Sequence, residues 1–549
     1  MSNSKKWKQE FEKLEKIKTI KDIISYGANQ YNEVPAVKIR NGNLINAISY
    51  NQFLNDVGSI SKFLDESGIK NKNIAIIGNT CYEWLVAFYG IVCSGNVAVL
   101  IDRELSKKSM ETSIKRADVE VLFIDETYTE EALYLKDNMP ELKINLSFHD
   151  FNGFVNLSNF LGKNEVNYKC YIDTDQPAVL AFTSGTTKTN KIVILTHRNL
   201  CFDVFSCIHF FDEFRPGETI IPVLPTHHMF GLTTNILLPF CLELTICFGE
   251  GIKYLNRDMK FFKPSIMFLV PMIVENMYNR IWVEAEKSNL DKKLKTLIKF
   301  SNGLRKAGID LRRVLFKSIL ENFGGNIKML VCGGAPIDAK LVRQYNEIGI
   351  SLRVGYGITE CSPVISCNKK NGMRIDSVGI PGPEQCCEVK IIDKEVCVKG
   401  PIVMKGYYKD KESTKAAMKD GWFRTEDLGY IDDGFLFITG RSKNLIILSD
   451  GNNISPEELE APLQLIPLIK SVFISSKVHK HVHMLVAKIH PDFAYALEKK
   501  ITDIQGTIEE KVEKVNKDLP PHKRIRSVEI CDSDFEKTSL GKIKRYLYS

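Results

Sequence analysis

The chain has 549 residues, of which 44% are hydrophobic and 26% are charged, and its formal net charge is +7. This composition is ordinary for a soluble globular protein, and the length predicts two or more domains. Because the charge excess is mild and no basic-aromatic stripe occurs, we expect no nucleic-acid partner.

The N-terminus is charged from its start and has no apolar segment of a signal peptide behind it. The 14 cysteines are scattered in apolar runs without a CxxC pair, a pattern typical of reduced thiols in the cytosol. Glycine, proline and polar residues interrupt the apolar runs at 85–101 and 220–248, which therefore predict buried core. We expect a cytoplasmic protein, and a peripheral membrane contact stays open if the substrate is a lipid acid.

In chain order, the first predicted element is an amphipathic helix over residues 5–25, with its apolar face docked on the body of the protein. A second helix is predicted over 50–64. Apolar runs at 73–78, 97–101 and 119–124 then alternate with helical patterns. Such alternation predicts βαβ units and a mostly parallel sheet.

The later strands border polar loops. Helices are predicted within 274–322, a β-rich subdomain from about 376, and a mixed α/β pattern beyond 440. Several strands end in loops rich in glycine or hydroxyl groups, and in open α/β sheets that edge is where ligands bind. These strands are predicted at 178–182, 192–195, 220–225, 264–271, 327–332 and 352–357.

The loop from Thr183 to Lys191 is rich in hydroxyl groups and closes with a lysine. Hydroxyls, free backbone N–H groups and an ammonium suit a polyphosphate. The loop is not the common P-loop, because Asn190 precedes the lysine and Ile192 follows it. On this loop alone, an ordinary surface loop is an equal alternative.

Four stretches of the chain occur in a fixed order and are distinctive together. They lie at 183–191, at 356–360, at 421–430 with Gly440 and Arg441 after it, and at 538–542. As a set they resemble the adenylate-forming superfamily, which includes acyl-CoA synthetases, firefly luciferase and the adenylation domains of peptide synthetases. The resemblance spans about residues 45 to 545.

The resemblance implies an α/β fold with a large N-terminal domain of packed βαβ sheets and a small, mobile α+β C-terminal domain. The large domain is expected over 1–440, with its β-rich subdomain at about 376–440. A hinge is expected at 441–444, and the small domain over 445–549. In this superfamily the small domain rotates about the hinge between two half-reactions.

The implied activity is that of an AMP-forming acid–thiol ligase. A carboxylate attacks the α-phosphate of ATP, which gives an acyl-adenylate and pyrophosphate, and a thiol then takes the acyl group and releases AMP. The implied cofactors are ATP, Mg²⁺ and coenzyme A or the phosphopantetheine of a carrier protein. Lysines, Mg²⁺ and amide donors are required because two anions must meet.

The nucleotide-contacting positions are carried over from the resemblance. For the phosphates they are Thr183, Ser184, Gly185, Thr186, Thr187 and Lys191. For adenine they are the turn Gly333, Gly334, Ala335 and Pro336, and Tyr356, which would stack on the base, with Gly357 after it. For the ribose they are Asp427 and Arg441.

The catalytic positions are also implied by the resemblance. Lys542 would bridge the carboxylate and the α-phosphate, as a point charge delivered on a flexible tail. Thr359 would contact the α-phosphate, and Glu360 would bind Mg²⁺, which prefers oxygen ligands. His228 matches a histidine beside the acyl pocket, although a buried structural histidine is an alternative there. Lys443 matches the hinge residue.

This sequence departs from the superfamily pattern at four positions. Lys188 and Ile192 stand where glycine is usual, and Asn190 stands where proline is usual. Glu426 replaces the glycine that commonly precedes the ribose-binding aspartate. Glycine at such sites supplies a positive φ or a close backbone approach. The hydroxyls, Lys191, Asp427 and Lys542 are retained, so an active enzyme is favoured over a relative that binds nucleotide without turnover.

The expected substrate is a fatty acid. The stretches at 79–84, 102–105 and 446–451 resemble bacterial long-chain fatty acyl-CoA synthetases, and the segments expected around the acyl pocket are apolar. An aromatic acid would also suit such segments, and apolar segments around a sheet are also simply core. An acyl- or aryl-carrier-protein ligase is therefore the alternative.

Overall fold

The computed structural model describes residues 3–30, 34–163, 168–183, 190–211, 213–370, 372–448, 453–479, 482–538 and 541–548. Its strands, in chain order, are β1 (Pro35–Asn41), β2 (Leu44–Ser49), β3 (Asn73–Ile77), β4 (Val97–Leu100), β5 (Val119–Ile124), β6 (Ile144–Ser147), β7 (Val155–Asn156), β8 (Pro177–Phe182), β9 (Ile192–Thr196), β10 (Thr219–Ile220), β11 (Thr245–Phe248), β12 (Ile266–Leu269), β13 (Met329–Cys332), β14 (Ser351–Gly357), β15 (Val364–Cys367), β16 (Ile380–Pro381), β17 (Glu388–Ile392), β18 (Glu395–Lys399), β19 (Gly406–Tyr407), β20 (Met418–Lys419), β21 (Trp422–Asp432), β22 (Phe435–Arg441), β23 (Ile446–Ile447), β24 (Asn453–Ile454), β25 (Ile469–His479), β26 (Val482–Pro491) and β27 (Ser527–Ile530).

The α-helices occur between these strands and at the N-terminus. They are α1 (Asn3–Leu14), α2 (Ile20–Gln30), α3 (Tyr50–Glu66), α4 (Tyr82–Cys93), α5 (Lys107–Arg116), α6 (Thr129–Asn138), α7 (His197–Phe210), α8 (Met229–Gly231), α9 (Leu238–Cys241), α10 (Leu255–Phe262), α11 (Pro271–Lys287), α12 (Asp291–Lys306), α13 (Arg312–Leu315), α14 (Lys317–Asn322), α15 (Ala339–Glu347), α16 (Lys411–Ala417), α17 (Pro456–Gln464), α18 (Phe493–Glu498) and α19 (Ile504–Lys517). A π-helical turn, Leu232–Leu237, joins α8 to α9.

The predicted α/β fold is confirmed. Within the described chain, one large sheet has the order β19-β9-β8-β4-β3-β5-β6-β7, and a second has the order β16-β15-β14-β13-β12-β10-β11-β1-β2. The strands β3, β4 and β5 pair in parallel, as do β12, β13 and β14. Their helical crossovers cover the sheets, and one hydrophobic core includes buried residues from both.

Three further sheets follow along the described chain, one of them the two-stranded pair of β23 and β24. Antiparallel strands β17, β18, β21 and β20 form a sheet to which β22 adds beside β21. Near the C-terminus, β25, β26 and β27 pack with α17 and α19 around a separate core, which includes Leu459, Ile474, Leu485 and Ile508. A 3₁₀ turn, Ser442–Asn444, links β22 to this C-terminal part.

The prediction of one N-terminal helix over 5–25 is wrong, because the segment forms α1 and α2 with a break between them. Thr19 and Asp22 explain the break. The Asp22 carboxylate accepts hydrogen bonds from the N–H and hydroxyl of Thr19, and the Thr19 hydroxyl accepts from the Asp22 N–H. This reciprocal capping starts a new helix. The predicted docking is confirmed, since Trp7 and Phe11 are buried in the main core.

The predicted strand at 220–225 is also largely wrong, since β10 ends at Ile220. Pro222 and Pro225 lack the N–H groups that a sheet ladder needs, so the chain after Ile220 cannot continue pairing in a central strand. The segment instead continues without strand pairing to His227 and His228, and His228 is the N-cap residue of α8.

All 14 cysteines are free thiols, and most of them are buried, as expected. Of the helices in the described ranges, none combines the length and the apolar composition needed to cross a bilayer.

Candidate active site

The parallel strands β12, β13 and β14 end at one edge of the nine-stranded sheet, and the predicted nucleotide-binding turns follow them there. Gly333, Gly334, Ala335 and Pro336 leave β13, and the N–H of Gly333 donates to Leu269 at the end of β12. Thr359 and Glu360 lie in a 3₁₀ turn after β14. The carboxyl edge of the sheet therefore gathers these residues.

Gly357, at the end of β14, has no space for a side chain. A Cβ on this residue would collide with the carbonyl oxygen of Pro363, because β14 and β15 approach closely there. The glycine allows the chain to turn directly from β14 into the segment that carries Thr359 and Glu360.

The two ends of the predicted phosphate loop are fixed. The N–H of Thr183 donates to the carbonyl of Lys191 at 2.9 Å, and the N–H of Lys191 donates to Oγ1 of Thr183 at 3.2 Å. Antiparallel pairing of β8 and β9 holds these positions. Ser184, Gly185, Thr186, Thr187 and the atypical Lys188 lie outside the described residues.

The atypical Ile192 begins β9 and is buried, and its carbonyl accepts the N–H of Tyr408 at 2.7 Å. The carbonyl of the atypical Asn190 accepts a hydrogen bond from Arg116. In this chain the loop therefore enters β9 through a β-branched residue, which favours an extended strand.

Asp427 is the central carboxylate of the site. It is buried in β21, accepts the hydroxyl of Tyr356 on Oδ2 at 2.7 Å, and accepts Nε of Arg441 on Oδ1 at 2.7 Å. Asp427 and Arg441 are paired across β21 and β22, so the antiparallel register brings them together. Burial, followed by the Asp427 charge, raises the pKa of Tyr356 well above its usual value.

Glu360 has a partner, Tyr407, that no sequence motif indicates. The hydroxyl of Tyr407 donates to Oε1 of Glu360 at 3.0 Å, and the Lys191 ammonium lies over the Tyr407 ring, 4.4 Å from its centroid. Burial raises the pKa of Glu360, while the Tyr407 hydrogen bond and the charges of Arg441 and Lys191 act in the opposite direction. The sequence around Tyr407 carried no motif, because its role comes from the pairing of β19 with β9.

Lys542 comes to the same group of residues from the C-terminal end of the chain. A turn holds it: the N–H of Thr538 donates to the Lys542 carbonyl at 2.7 Å, and the N–H of Lys542 donates to Oγ1 of Thr538. Burial and the charge of Arg441 lower the pKa of Lys542 to about 8, while Asp427 and Glu457 oppose this shift. Ser539 and Leu540 of this motif lie outside the described residues.

His228 lies within electrostatic range of Lys542. Burial, then the neighbouring His227, lowers the pKa of His228 to about 3, and the Lys542 charge acts in the same direction. The imidazole is therefore neutral at physiological pH. Nε2 of His227 lies 3.4 Å from Oδ1 of Asp102, and the two histidine rings are 4.3 Å apart.

The donor set fits Mg²⁺ that arrives with a polyphosphate. The described residues include no group of three or more His, Cys, Asp or Glu side chains that could hold a metal ion by themselves. Glu360 offers a half-buried carboxylate, whereas the Asp427 carboxylate is already bound by Tyr356 and Arg441. Mg²⁺ usually binds through one or two carboxylates, waters and substrate phosphates. The cations Lys191, Arg441 and Lys542 suit the phosphates themselves.

The chain is similar to known proteins over most of its length. Residues 25–408 match the family described as AMP-binding enzyme, and residues 443–548 match the AMP-binding enzyme C-terminal domain. Long-chain-fatty-acid–CoA ligase FadD15 of Mycobacterium bovis is 28% identical over 437 residues, which cover 75% of this chain and 72% of that protein. Human long-chain-fatty-acid–CoA ligase 1 is 27% identical over 491 residues, which cover 81% of this chain and 69% of that protein.

Solved structures share the fold at lower identity. An anthranilate CoA ligase, AuaEII, bound to anthranoyl-AMP superposes with a TM-score of 0.78 at 17% identity, covering 96% of each chain. A Mycobacterium tuberculosis fatty acyl CoA synthetase superposes with a TM-score of 0.65 at 19% identity, covering 97% of this chain and 98% of that one.

Proposed function

The chain belongs to the AMP-binding enzyme family of adenylate-forming ligases, and from this premise we propose that it joins a fatty acid to the thiol of coenzyme A. In the first step a carboxylate oxygen attacks the α-phosphorus of ATP and pyrophosphate leaves. In the second step the thiol sulfur attacks the acyl carbon, AMP leaves, and the thiol proton is released.

The observation that carries the proposal is the arrangement around Asp427. This buried carboxylate is bound by Tyr356 and Arg441, and its charge and that of Arg441 both act on Lys542 from the C-terminal part. Asp427 would accept the ribose hydroxyls, and Lys542 would stabilise the negative charge that develops as the carboxylate attacks the α-phosphate.

The phosphates of ATP would lie along the carboxyl edge of the sheet. Lys191 would contact the β- and γ-phosphates, and Thr359 the α-phosphate. Glu360 would hold Mg²⁺, which screens the phosphate charge during attack. The turn from Gly333 to Pro336 and the ring of Tyr356 would hold the adenine, where a flat aromatic face can stack.

An apolar acyl chain is supported by the residues near His228. Phe230 would touch a Cβ placed on Gly333, and its ring lies 6.1 Å from that of Phe268, which is buried. These aromatic groups lie beside the predicted adenine turn, and their apolar surface suits an acyl chain. The names of the curated relatives also favour a long-chain acid. The free, mostly buried thiols support a cytoplasmic location.

The decisive experiment is acid-dependent ATP–pyrophosphate exchange, followed by AMP release with coenzyme A or a carrier protein as acceptor. We expect exchange with long-chain acids, loss of exchange in Lys542→Ala, and little change in Lys544→Ala, a matched lysine on the same tail. Transfer only to a carrier protein would identify the alternative ligase. ATP binding without AMP release for any acid would contradict the proposal and indicate a non-catalytic relative.

A further inference from the structure

A basic cleft lies at one edge of the nine-stranded sheet. The candidate active site lies at the opposite edge. The cleft has a volume of about 510 Å³, and its charged lining residues are Lys260, Lys263, Arg313, Lys317 and Glu321. Four cationic side chains therefore line the cleft, and among the described lining residues the one carboxylate is that of Glu321. That carboxylate also lies 3.9 Å from the Lys317 ammonium on the same helix.

The position of the cleft follows from the strand directions. Lys263 precedes β12 and Asn326 precedes β13, whereas the nucleotide-binding turn at Gly333 follows β13. The two strands are parallel, so the cleft and the candidate active site lie at opposite edges of the sheet. A ligand of the cleft is therefore distinct from ATP bound at the active site.

A close backbone approach builds the cleft. Gly324 has a φ of +85°, and a Cβ on it would collide with the carbonyl oxygen of Met259. Only glycine accommodates both the angle and the contact, which bring the end of α14 against α10. The Arg313 guanidinium is fixed across the cleft by hydrogen bonds to the carbonyls of Ile327 at 2.9 Å and Gly325 at 3.1 Å.

Exposed apolar side chains flank Arg313 in the sequence. Val314, directly after Arg313, is 73% exposed, and Ile309 and Leu311 just before it are 48% and 41% exposed. Cations attract phosphate groups, and neighbouring apolar side chains gain free energy by entering the boundary between headgroups and acyl chains. A soluble anion would use the cations alone and would leave Val314 in water.

We infer that this basic cleft, with Ile309, Leu311 and Val314 beside it, docks the protein on the phosphate headgroups of an anionic lipid bilayer. The inference goes beyond the proposed ligase activity, because no residue of the cleft belongs to the candidate active site. Lys260, Lys263 and Lys317 would contact headgroup phosphates, while Val314 would enter the interface.

The test is co-sedimentation of the full chain with vesicles of phosphatidylcholine, with or without phosphatidylglycerol. We expect binding only to the anionic vesicles. Each cation near a membrane surface contributes about fivefold to partitioning, so the triple variant Lys260→Gln, Lys263→Gln, Lys317→Gln should bind on the order of a hundredfold more weakly. The matched control, Lys411→Gln, Lys415→Gln, Lys419→Gln, removes the same charge from exposed positions elsewhere and should bind like the wild type.

Two further variants and one competitor make the result specific. Val314→Ser should weaken vesicle binding while leaving the salt dependence of that binding unchanged. If the triple variant fails to fold, each single lysine variant should show a fivefold loss of vesicle binding. Equal vesicle binding by the wild type and the triple variant would overturn the inference. Failure of the wild type to bind anionic vesicles would also overturn it. If the wild type then binds pyrophosphate in calorimetry and the triple variant does not, the cleft binds a soluble anion.

Discussion

Glu426 and Lys443 form an ion pair, with 2.8 Å between Oε1 and Nζ. Glu426 has a φ of +62°, in the left-handed region where the superfamily pattern usually has glycine. Its carbonyl accepts the Ser442 hydroxyl at 3.1 Å. On the other side of the same turn, Nδ2 of Asn444 donates to Glu457 in α17 at 2.6 Å. The expected hinge segment is thus held from both sides.

We expect Glu426→Gln to remove the ion pair with Lys443 and so to loosen the expected hinge segment in the arrangement that places Lys542 in the site. A half-exposed ion pair contributes about 0.2–1 kcal/mol, so pyrophosphate exchange should fall up to about fivefold relative to thioester formation from supplied acyl-adenylate. Glu426→Gly removes the ion pair and also about 1 kcal/mol of backbone strain, so its stability should stay near that of the wild type. Glu412→Gln, at an exposed position in α16, is the control. An unchanged ratio of the two half-reactions in Glu426→Gln would contradict this role.

Tyr407→Phe tests the support of Glu360. The substitution removes the 3.0 Å hydrogen bond to the carboxylate but keeps the aromatic ring beneath the Lys191 ammonium. A hydrogen bond to a charged group contributes about 1.5–3 kcal/mol, so the Mg²⁺ concentration for half-maximal exchange should rise about tenfold or more.

The adjacent tyrosine supplies the control for this prediction. The Tyr408 hydroxyl donates to Asp118 at 2.7 Å, away from Glu360. Tyr408→Phe should therefore leave the Mg²⁺ requirement unchanged. Equal shifts in the two variants would show that Tyr407 does not act through Glu360.

The pH dependence of exchange should follow Lys542. Its pKa is lowered from 10.5 to about 8, first by burial and then by the Arg441 charge. The ammonium form is present below this pKa, so kcat/KM for exchange should fall as the pH rises through about 8. Bound ATP and carboxylate are anions that favour the ammonium, so the same limb in kcat should lie at higher pH.

Lys542→Arg keeps a positive charge at all accessible pH values but changes its geometry. Its exchange rate should be lower, and the basic limb near pH 8 should be absent. The exchange assay contains no thiol, so ionisation of coenzyme A cannot produce that limb. A basic limb that persists at the same pH in Lys542→Arg would assign the titration to another group.

Local sequence predicted much of the fold, because short apolar runs between turns leave few alternatives. The strands predicted at 178–182 and 192–195 coincide with β8 and β9 to within one residue at each end. The break between α1 and α2 was missed because helical spacing of apolar residues continues through it, while the Thr19–Asp22 cap depends on two polar side chains. Tyr407 was missed because its contact with Glu360 depends on long-range strand pairing.

Asn235 is fully buried in the π-helical turn Leu232–Leu237. Neither polar atom of its side chain has a hydrogen-bond partner among the residues that the structure describes. An unsatisfied buried amide costs about 1–3 kcal/mol, so Asn235→Leu should raise the free energy of unfolding by a similar amount. The shift is measured by denaturant unfolding and thermal melting of the full chain.

Asn96 is the matched control, because it is equally buried but fully bonded. Its Nδ2 donates to the carbonyl of Ile69 at 3.0 Å and to Oγ of Ser94 at 2.9 Å, and its Oδ1 accepts the N–H of Lys72 at 2.9 Å. Asn96→Leu removes the side-chain partner of the buried Ile69 carbonyl and of the partly buried Lys72 N–H, and should destabilise by about 1–3 kcal/mol. If Asn235→Leu destabilises as much as Asn96→Leu, the Asn235 amide has a bonded partner, such as a buried water, and the prediction fails.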